Sequence, residues 1–237
     1  MREDRRRPLR GGRVTRRSWA VARTYFLPPF VLGALLLVFG QRRLGWASLL
    51  GSLGVLAFFR DPERRLVPEP GVAYAAADGF VKSVDEVEEG ALPGGRGLSV
   101  STFLSLHNVH VHRSPIKGTV SVFEEIEGGY APALFESSEG NRRNRLVIEG
   151  GDGTKAVVVS KAGSIARRIS SWVGVGDEVE AGDRIGLIHF GSRTDVILPS
   201  GSEPLVSPGD RVLAGLTPIA RYGPAPGPGT RSEGHIG

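Results

Sequence analysis

Two apolar runs open the hydrophobic pattern of this chain. Residues 25–40 (YFLPPFVLGALLLVFG) and 44–59 (LGWASLLGSLGVLAFF) are separated only by Gln41, Arg42 and Arg43. Each run is about 16 residues, roughly 24 Å as a helix at ~1.5 Å per residue. A hydrocarbon core of about 30 Å asks for ~20 residues, so each is short for an upright span. The pattern predicts a helical hairpin over 25–60 that dips into one leaflet or spans with local thinning. A buried hairpin in a soluble protein has the same pattern. From about residue 66 the texture changes. Short runs such as VAYAAADGFVKSVDEV, LSVSTFL, GTVSVFEEI, RLVIEG and KAVVVSKAG are rich in Val, Ile and Phe, and Gly, Pro, Asp or Asn separate them. These predict strands, and no long amphipathic helix follows residue 60, so the fold class is mainly β, a barrel or sandwich. Four segments result: a basic disordered arm (1–24), a membrane-associated helical hairpin (25–60), a β-rich domain (61–222) and a Pro/Gly-rich disordered tail (223–237).

Charge sharpens this division. The net charge is +5, yet residues 1–24 hold nine Arg against Glu3 and Asp4, or +7, which leaves −2 for the rest. A body of that sign argues against nucleic acid as a partner. A basic arm beside apolar helices suits an anionic membrane face, and Arg on both flanks of the hairpin predicts both ends in the cytoplasm. There is no cysteine, which excludes disulfides, thiolate zinc sites and a cysteine nucleophile. Ser114-Pro-Ile-Lys-Gly118 and Gly176-Asp…Gly182-Asp resemble parts of biotinyl/lipoyl-type barrel-sandwich domains. The Gly-Asp pairs predict tight turns, because glycine accepts positive φ and the aspartate side chain caps the turn. The carrier lysine of such domains is missing near 176–183.

Candidate chemistry lies in three places. Gly191-Ser192 sits between apolar runs in GLIHFGSRTDVILP (186–199). A serine oxygen can attack the preceding carbonyl, glycine there removes a crowding Cβ, and the ester can eliminate to dehydroalanine and hydrolyse to a pyruvoyl group. An isolated Gly-Ser pair is ordinarily just a turn. In LHNVHVHRSP, His110 and His112 share one face of a strand. That face suits a proton-transfer base, a metal pair or plain hydrogen-bonded histidines. Asp78-Gly79 reads as a turn or as a carboxylate that orients a histidine.

Taken together, FFRDPER (58–64), the ADG of 77–79, NVHVHRSPIKG (108–118), EGNRRN (139–144) and GLIHFGSRTDVILP are similar to the short-type phosphatidylserine decarboxylase proenzyme family, in the family's order and over residues 20–221. The resemblance implies a pyruvoyl-dependent carboxy-lyase of phospholipid biosynthesis that converts phosphatidylserine to phosphatidylethanolamine. It implies cleavage at Gly191-Ser192, with Ser192 becoming the pyruvoyl cofactor that takes the substrate amine as a Schiff base. It assigns Asp78, His110 and Ser192 to the cleavage triad. The second histidine of the family's longer members falls on Arg113, which leaves His112 or His107 to replace it, or one histidine to serve both steps. Arg142 and Arg143 are candidates for the lipid phosphate or carboxylate, and no metal is expected. The implied partners are membrane phosphatidylserine and the two cleavage fragments as a heterodimer, with a homo-oligomer left open. The implied location is the cytoplasmic face of the cell membrane, peripheral or hairpin-anchored. Competing readings are a zinc hydrolase using His110 and His112, a non-enzymatic membrane-anchored lipoyl-like adaptor, and a pyruvoyl decarboxylase of a soluble amino acid.

Overall fold

The computed structural model describes residues 14–129, 140–163, 168–189 and 192–223. Two helices come first, α1 (Arg16–Val38) and α2 (Arg42–Phe58). Helix α1 begins at Arg16 and not at the edge of the apolar run, so residues 16–24 of the expected disordered arm are helical. A capping box accounts for this early start. Thr15 Oγ1 accepts from the Ser18 N–H, and Ser18 Oγ accepts from the Thr15 N–H. Arginine is itself a good helix former, so the basic stretch continues the helix. Residues 1–13 of the arm and 224–237 of the tail lie outside the described residues.

The hairpin is packed with its polar and small residues inside. Where α1 crosses α2, a Cβ on Gly33 or on Gly45 would sit 3.0 Å from the other's carbonyl oxygen, so only glycine permits this approach. Ser48 Oγ donates to the Pro29 carbonyl at 2.6 Å, a second tie at the level of the Pro28-Pro29 pair. Ser18, Ala22, Gly33, Gly45 and Ser52 are buried, while Val31, Leu32, Leu35, Trp46, Leu50 and Leu53 are exposed. That inversion suits an apolar surrounding. Among the described residues α1 alone is long and apolar enough to cross a membrane.

The remainder is mainly β, as the pattern predicts. The strands are β1 (Val72–Tyr74), β2 (Gly79–Glu88), β3 (Arg96–Leu104), β4 (Val111–Arg113), β5 (Gly118–Ile126), β6 (Arg143–Glu149), β7 (Lys155–Ala162), β8 (Ile169–Ser171), β9 (Glu178–Val179), β10 (Arg184–Ile188), β11 (Ser192–Pro199), β12 (Glu203–Pro204), β13 (Arg211–Val212) and β14 (Pro218–Arg221). A curled eight-stranded sheet has the order β13-β2-β3-β11-β7-β6-β5-β9. Two three-stranded sheets, β1-β14-β12 and β4-β10-β8, complete the domain. Val100, Val158, Val196, Leu198, Ile148 and Ile185 belong to the main core. Strand β11 is central and antiparallel to both neighbours, with Ser192 opposite Leu104 on β3 and Ala162 on β7. The Gly-Asp turns form as expected: Gly176 and Gly182 have φ of +85° and +84°, and the Asp177 and Asp183 carboxylates accept from the Gly174 and Glu180 N–H groups.

The segment after α2 straps the hairpin to the β domain. Asp61 is fully buried and takes Arg184 Nε at 2.7 Å and Arg113 Nη2 at 3.5 Å. Arg113 also donates to the carbonyls of Gly182 and Pro62. Burial lowers the Arg113 pKa to about 10, so this cation depends on its anion. Replacing Asp61 by alanine leaves Arg113 buried with only carbonyl partners. The expected loss is about 3 kcal/mol of stability, because removing one member of a buried pair strands the other. A fall in the thermal midpoint of the detergent-solubilised protein measures it; an unchanged midpoint would contradict the strap.

Candidate active site

Ser192 opens β11 with no exposed surface, and its Oγ has no hydrogen-bond partner among the described residues. A buried hydroxyl without a partner is costly, and such groups concentrate where chemistry is done. Its expected cleavage neighbour, Gly191, lies outside the described residues. Ser192 and Thr194 share one face of β11, and Arg193 and Asp195 lie on the other. On that other face, Asp195 takes Lys161 at 2.9 Å, Arg193 at 2.7 Å and Ser101 Oγ at 2.6 Å. This buried network fixes the strand behind Ser192.

The face that carries Ser192 and Thr194 meets β4. His112 is fully buried with both ring nitrogens engaged, Nδ1 with Ser160 Oγ at 2.9 Å and Nε2 with Thr194 Oγ1 at 3.1 Å. Burial drives its pKa down to about 3 and the nearby His110 adds to the shift, so the ring is neutral. His110, two residues earlier, is placed differently. Its Nδ1 lies 3.0 Å from the Asn108 carbonyl, which fixes the proton on Nδ1 and leaves Nε2 as an acceptor. That Nε2 is buried and has no partner among the described residues. Burial lowers the His110 pKa to about 4; the Asn108 carbonyl and Asp78 oppose the shift, and Arg60 and His107 add to it. Among the described residues, His110 is thus a neutral base whose Nε2 lone pair has no partner, and Ser192 is a buried hydroxyl with no acceptor.

Asp78 is tied elsewhere. Its carboxylate accepts from both Arg64 Nη atoms at 2.5 and 2.7 Å and from the Ala214 N–H at 2.8 Å. Gly79 does not form a turn but starts β2, where a Cβ would lie 2.0 Å from the Phe103 carbonyl oxygen. No hydrogen bond joins Asp78 to His110 among the described residues. The Asn108 carbonyl orients the imidazole, and Asp78 acts on it through space. Arg142 and Arg143 stand two strands away from Ser192, and Arg142 pairs with Glu127 at 3.2 Å and Glu125 at 3.9 Å. Arg113, where longer family members have a histidine, belongs to the strap.

His189 is a site residue that reading the motif for Ser192 passes over. Its Nδ1 meets the Tyr25 hydroxyl at 3.0 Å and its Nε2 meets Ser170 Oγ at 3.0 Å. Burial lowers its pKa to about 4, and Arg168 and His110 add to the shift. Tyr25 stacks on Phe59, Phe59 packs edge-on against His189, and Phe58 lies on His110 with ring centroids 4.3 Å apart. The base of the hairpin thus forms one wall of the site. Ala22, Phe58 and Phe59 share a core with Val109, Val111 and Leu187 of the β domain. No three His, Asp or Glu side chains gather as a metal would require among the described residues. With both nitrogens of His112 on hydroxyls, the zinc-hydrolase reading has no donor set to rest on.

Comparison with known proteins agrees with these features. The phosphatidylserine decarboxylase family model matches residues 53–220. A phosphatidylserine decarboxylase proenzyme of Symbiobacterium thermophilum is 44% identical over 220 residues, covering 92% of this chain and 98% of that protein. Proteins of the same name from Gluconobacter oxydans and Novosphingobium aromaticivorans are 44% and 40% identical, covering 81% and 82% of this chain and 91% and 82% of their own. The adaptor reading falls with this result: the chain belongs to the phosphatidylserine decarboxylase family and is a carboxy-lyase, an enzyme whose relatives carry the name proenzyme.

Proposed function

We propose that this chain cleaves itself at Gly191-Ser192, carries the resulting pyruvoyl group on residue 192, and decarboxylates phosphatidylserine to phosphatidylethanolamine in phospholipid biosynthesis. The observation that carries this reading is two buried atoms without partners among the described residues, Ser192 Oγ and His110 Nε2. One is a donor lacking an acceptor, the other an acceptor lacking a donor.

The cleavage follows from that pair. His110 Nε2 takes the Ser192 hydroxyl proton, and Oγ attacks the Gly191 carbonyl carbon. The amide C–N bond breaks to an ester, and the His110 proton passes to the departing nitrogen. A base then takes the Ser192 Cα proton and the Cβ–Oγ bond breaks, releasing Gly191 as a carboxylate and leaving dehydroalanine at 192. Water adds, ammonia leaves, and a pyruvoyl group remains. The full burial of Ser192 supports its formation there, since bulk water is kept from the reactive species. Once formed, the group supplies an electron sink for loss of CO₂ from the serine headgroup. His110 Nε2, protonated from solvent, then delivers that proton to the substrate Cα. It is favoured over His112, whose nitrogens are both engaged.

The fragments 1–191 and 192–237 stay associated in this reading because β11 is held between β3 and β7. The inverted hairpin supports anchoring at the membrane, and the basic start of α1 supports the cytoplasmic face. Mass spectrometry of the solubilised protein tests the proposal. Two pieces, the smaller of 46 residues and blocked by pyruvoyl, together with phosphatidylethanolamine from phosphatidylserine, are expected. A chain that stays whole on long incubation would refute it. A finer expectation concerns His189: Tyr25→Phe slows cleavage about fivefold, the worth of one hydrogen bond of about 1 kcal/mol, as followed by gel densitometry.

A further inference from the structure

A groove opens beside the site on the hairpin side. The C-terminal half of α2 and the turn at 105–108 enclose about 480 Å³, lined by Gly51, Gly54, Ala57, Phe58, Arg60 and His107 among others. Its inner wall is Phe58, the ring that lies on His110. Its polar end is Arg60, which donates to the Ala57 carbonyl at 2.9 Å and to the His107 carbonyl. These two bonds hold the guanidinium in place and leave N–H groups over, since it carries five. No carboxylate pairs with Arg60 among the described residues. On the same helix, Leu50 and Leu53 are exposed and next in sequence to the lining residues Gly51 and Gly54.

One opening therefore joins an apolar helix face and an anchored cation, and its Phe58 wall packs against the neutral base. We propose that this groove holds a single phospholipid molecule, its phosphate against Arg60 and His107 and its glycerol and acyl chains along Gly51, Gly54 and Ala57. The inference rests on the decarboxylase reading and deepens it by placing the substrate. Charge complementarity selects the phosphate, because a guanidinium pairs well with phosphate oxygens. Continuity with the site sets the direction: the serine headgroup beyond the phosphate lies toward Phe58 and His110. The Arg60 charge acts on His110, in keeping with this direction. The small residues give the groove its width, since a Cβ on Gly51 or Gly54 would meet no atom within 4 Å. Arg142, an earlier candidate for this role, is occupied by Glu127.

Two kinds of variant test the placement, both in vesicles of phosphatidylserine and phosphatidylcholine. Gly54→Leu fills the groove without a clash at its Cβ, and Gly51→Leu does the same one turn earlier. Either is expected to cleave fully yet lose at least tenfold in kcat/KM on diacyl phosphatidylserine relative to water-soluble glycerophosphoserine. Arg60→Gln is expected to cleave and to raise KM at least tenfold for both substrates, because both carry the phosphate. Cleaved variants with wild-type kinetics on both substrates would overturn the groove assignment. A wild-type protein that leaves phosphatidylserine unchanged would instead overturn the functional reading beneath it.

Discussion

Ser192→Ala is expected to yield a single chain of 25.3 kDa under conditions where the wild type has split, with no decarboxylation of phosphatidylserine at any protein concentration. The loss is complete, not graded, because two roles end together. Alanine has no oxygen to attack the Gly191 carbonyl, and it has no leaving group on Cβ from which to reach dehydroalanine. The substitution removes one buried atom that had no hydrogen bond among the described residues, so the fold keeps its contacts. An intact, soluble and folded Ser192→Ala chain beside a cleaved wild type separates lost chemistry from lost structure. Cleavage of the alanine variant at the same bond would remove the serine from the mechanism.

Removing the imidazole of His110 is the second large effect. His110→Ala is expected to slow cleavage by about 10²–10⁴, the usual contribution of a positioned general base. Quenched time courses on gels measure it, and an unslowed variant would return the proton transfer to His112 or His189. The pH profile gives an independent check. With a pKa near 4, His110 is already a free base at pH 5, so the cleavage rate is level from about pH 5 to 8 and falls only as pH approaches 4. An ordinary surface histidine would bend the profile near 6.5. The sign for stability agrees. His110, His112 and His189 have folded pKa values of about 4, 3 and 4, all below the unfolded value. Their contribution is fully present above about pH 6.5 and is lost as pH falls toward 4, because the unfolded chain binds the protons more readily.

The parts of this molecule legible from sequence are those in which local pattern and local physics agree. Unbroken apolar runs foretell the hairpin, Gly-Asp pairs foretell the turns at 176 and 182, and alternating Val-rich runs foretell the sheet. The start of α1 was hidden because arginines before an apolar run read as a solvated arm, while the Thr15–Ser18 capping box that begins the helix is a weaker signal. The partners of the site residues are a different matter. Asp78 pairs with Arg64, fourteen positions away, and with an amide 136 positions away, so its proximity to His110 does not become a hydrogen bond. The group that orients His110 is a backbone carbonyl, which leaves no mark in any sequence. FFRDPER is conspicuous as a motif, but its work of tying Asp61 to Arg184 and Arg113 needs strands more than fifty positions away to be in place.

The position of β11 has one more consequence. The proposed cut beside its first residue would sever the chain at the edge of a strand paired on both sides. On that proposal folding would be the work of one chain, and the mature protein would be two. Once such a cleaved form were denatured, β11 to β14 would have to find their places by collision between separate molecules, and recovery would depend on concentration. Maturation would thus be a one-way gate: the precursor could unfold and return on its own, whereas the cleaved enzyme would survive by the slowness of its unfolding.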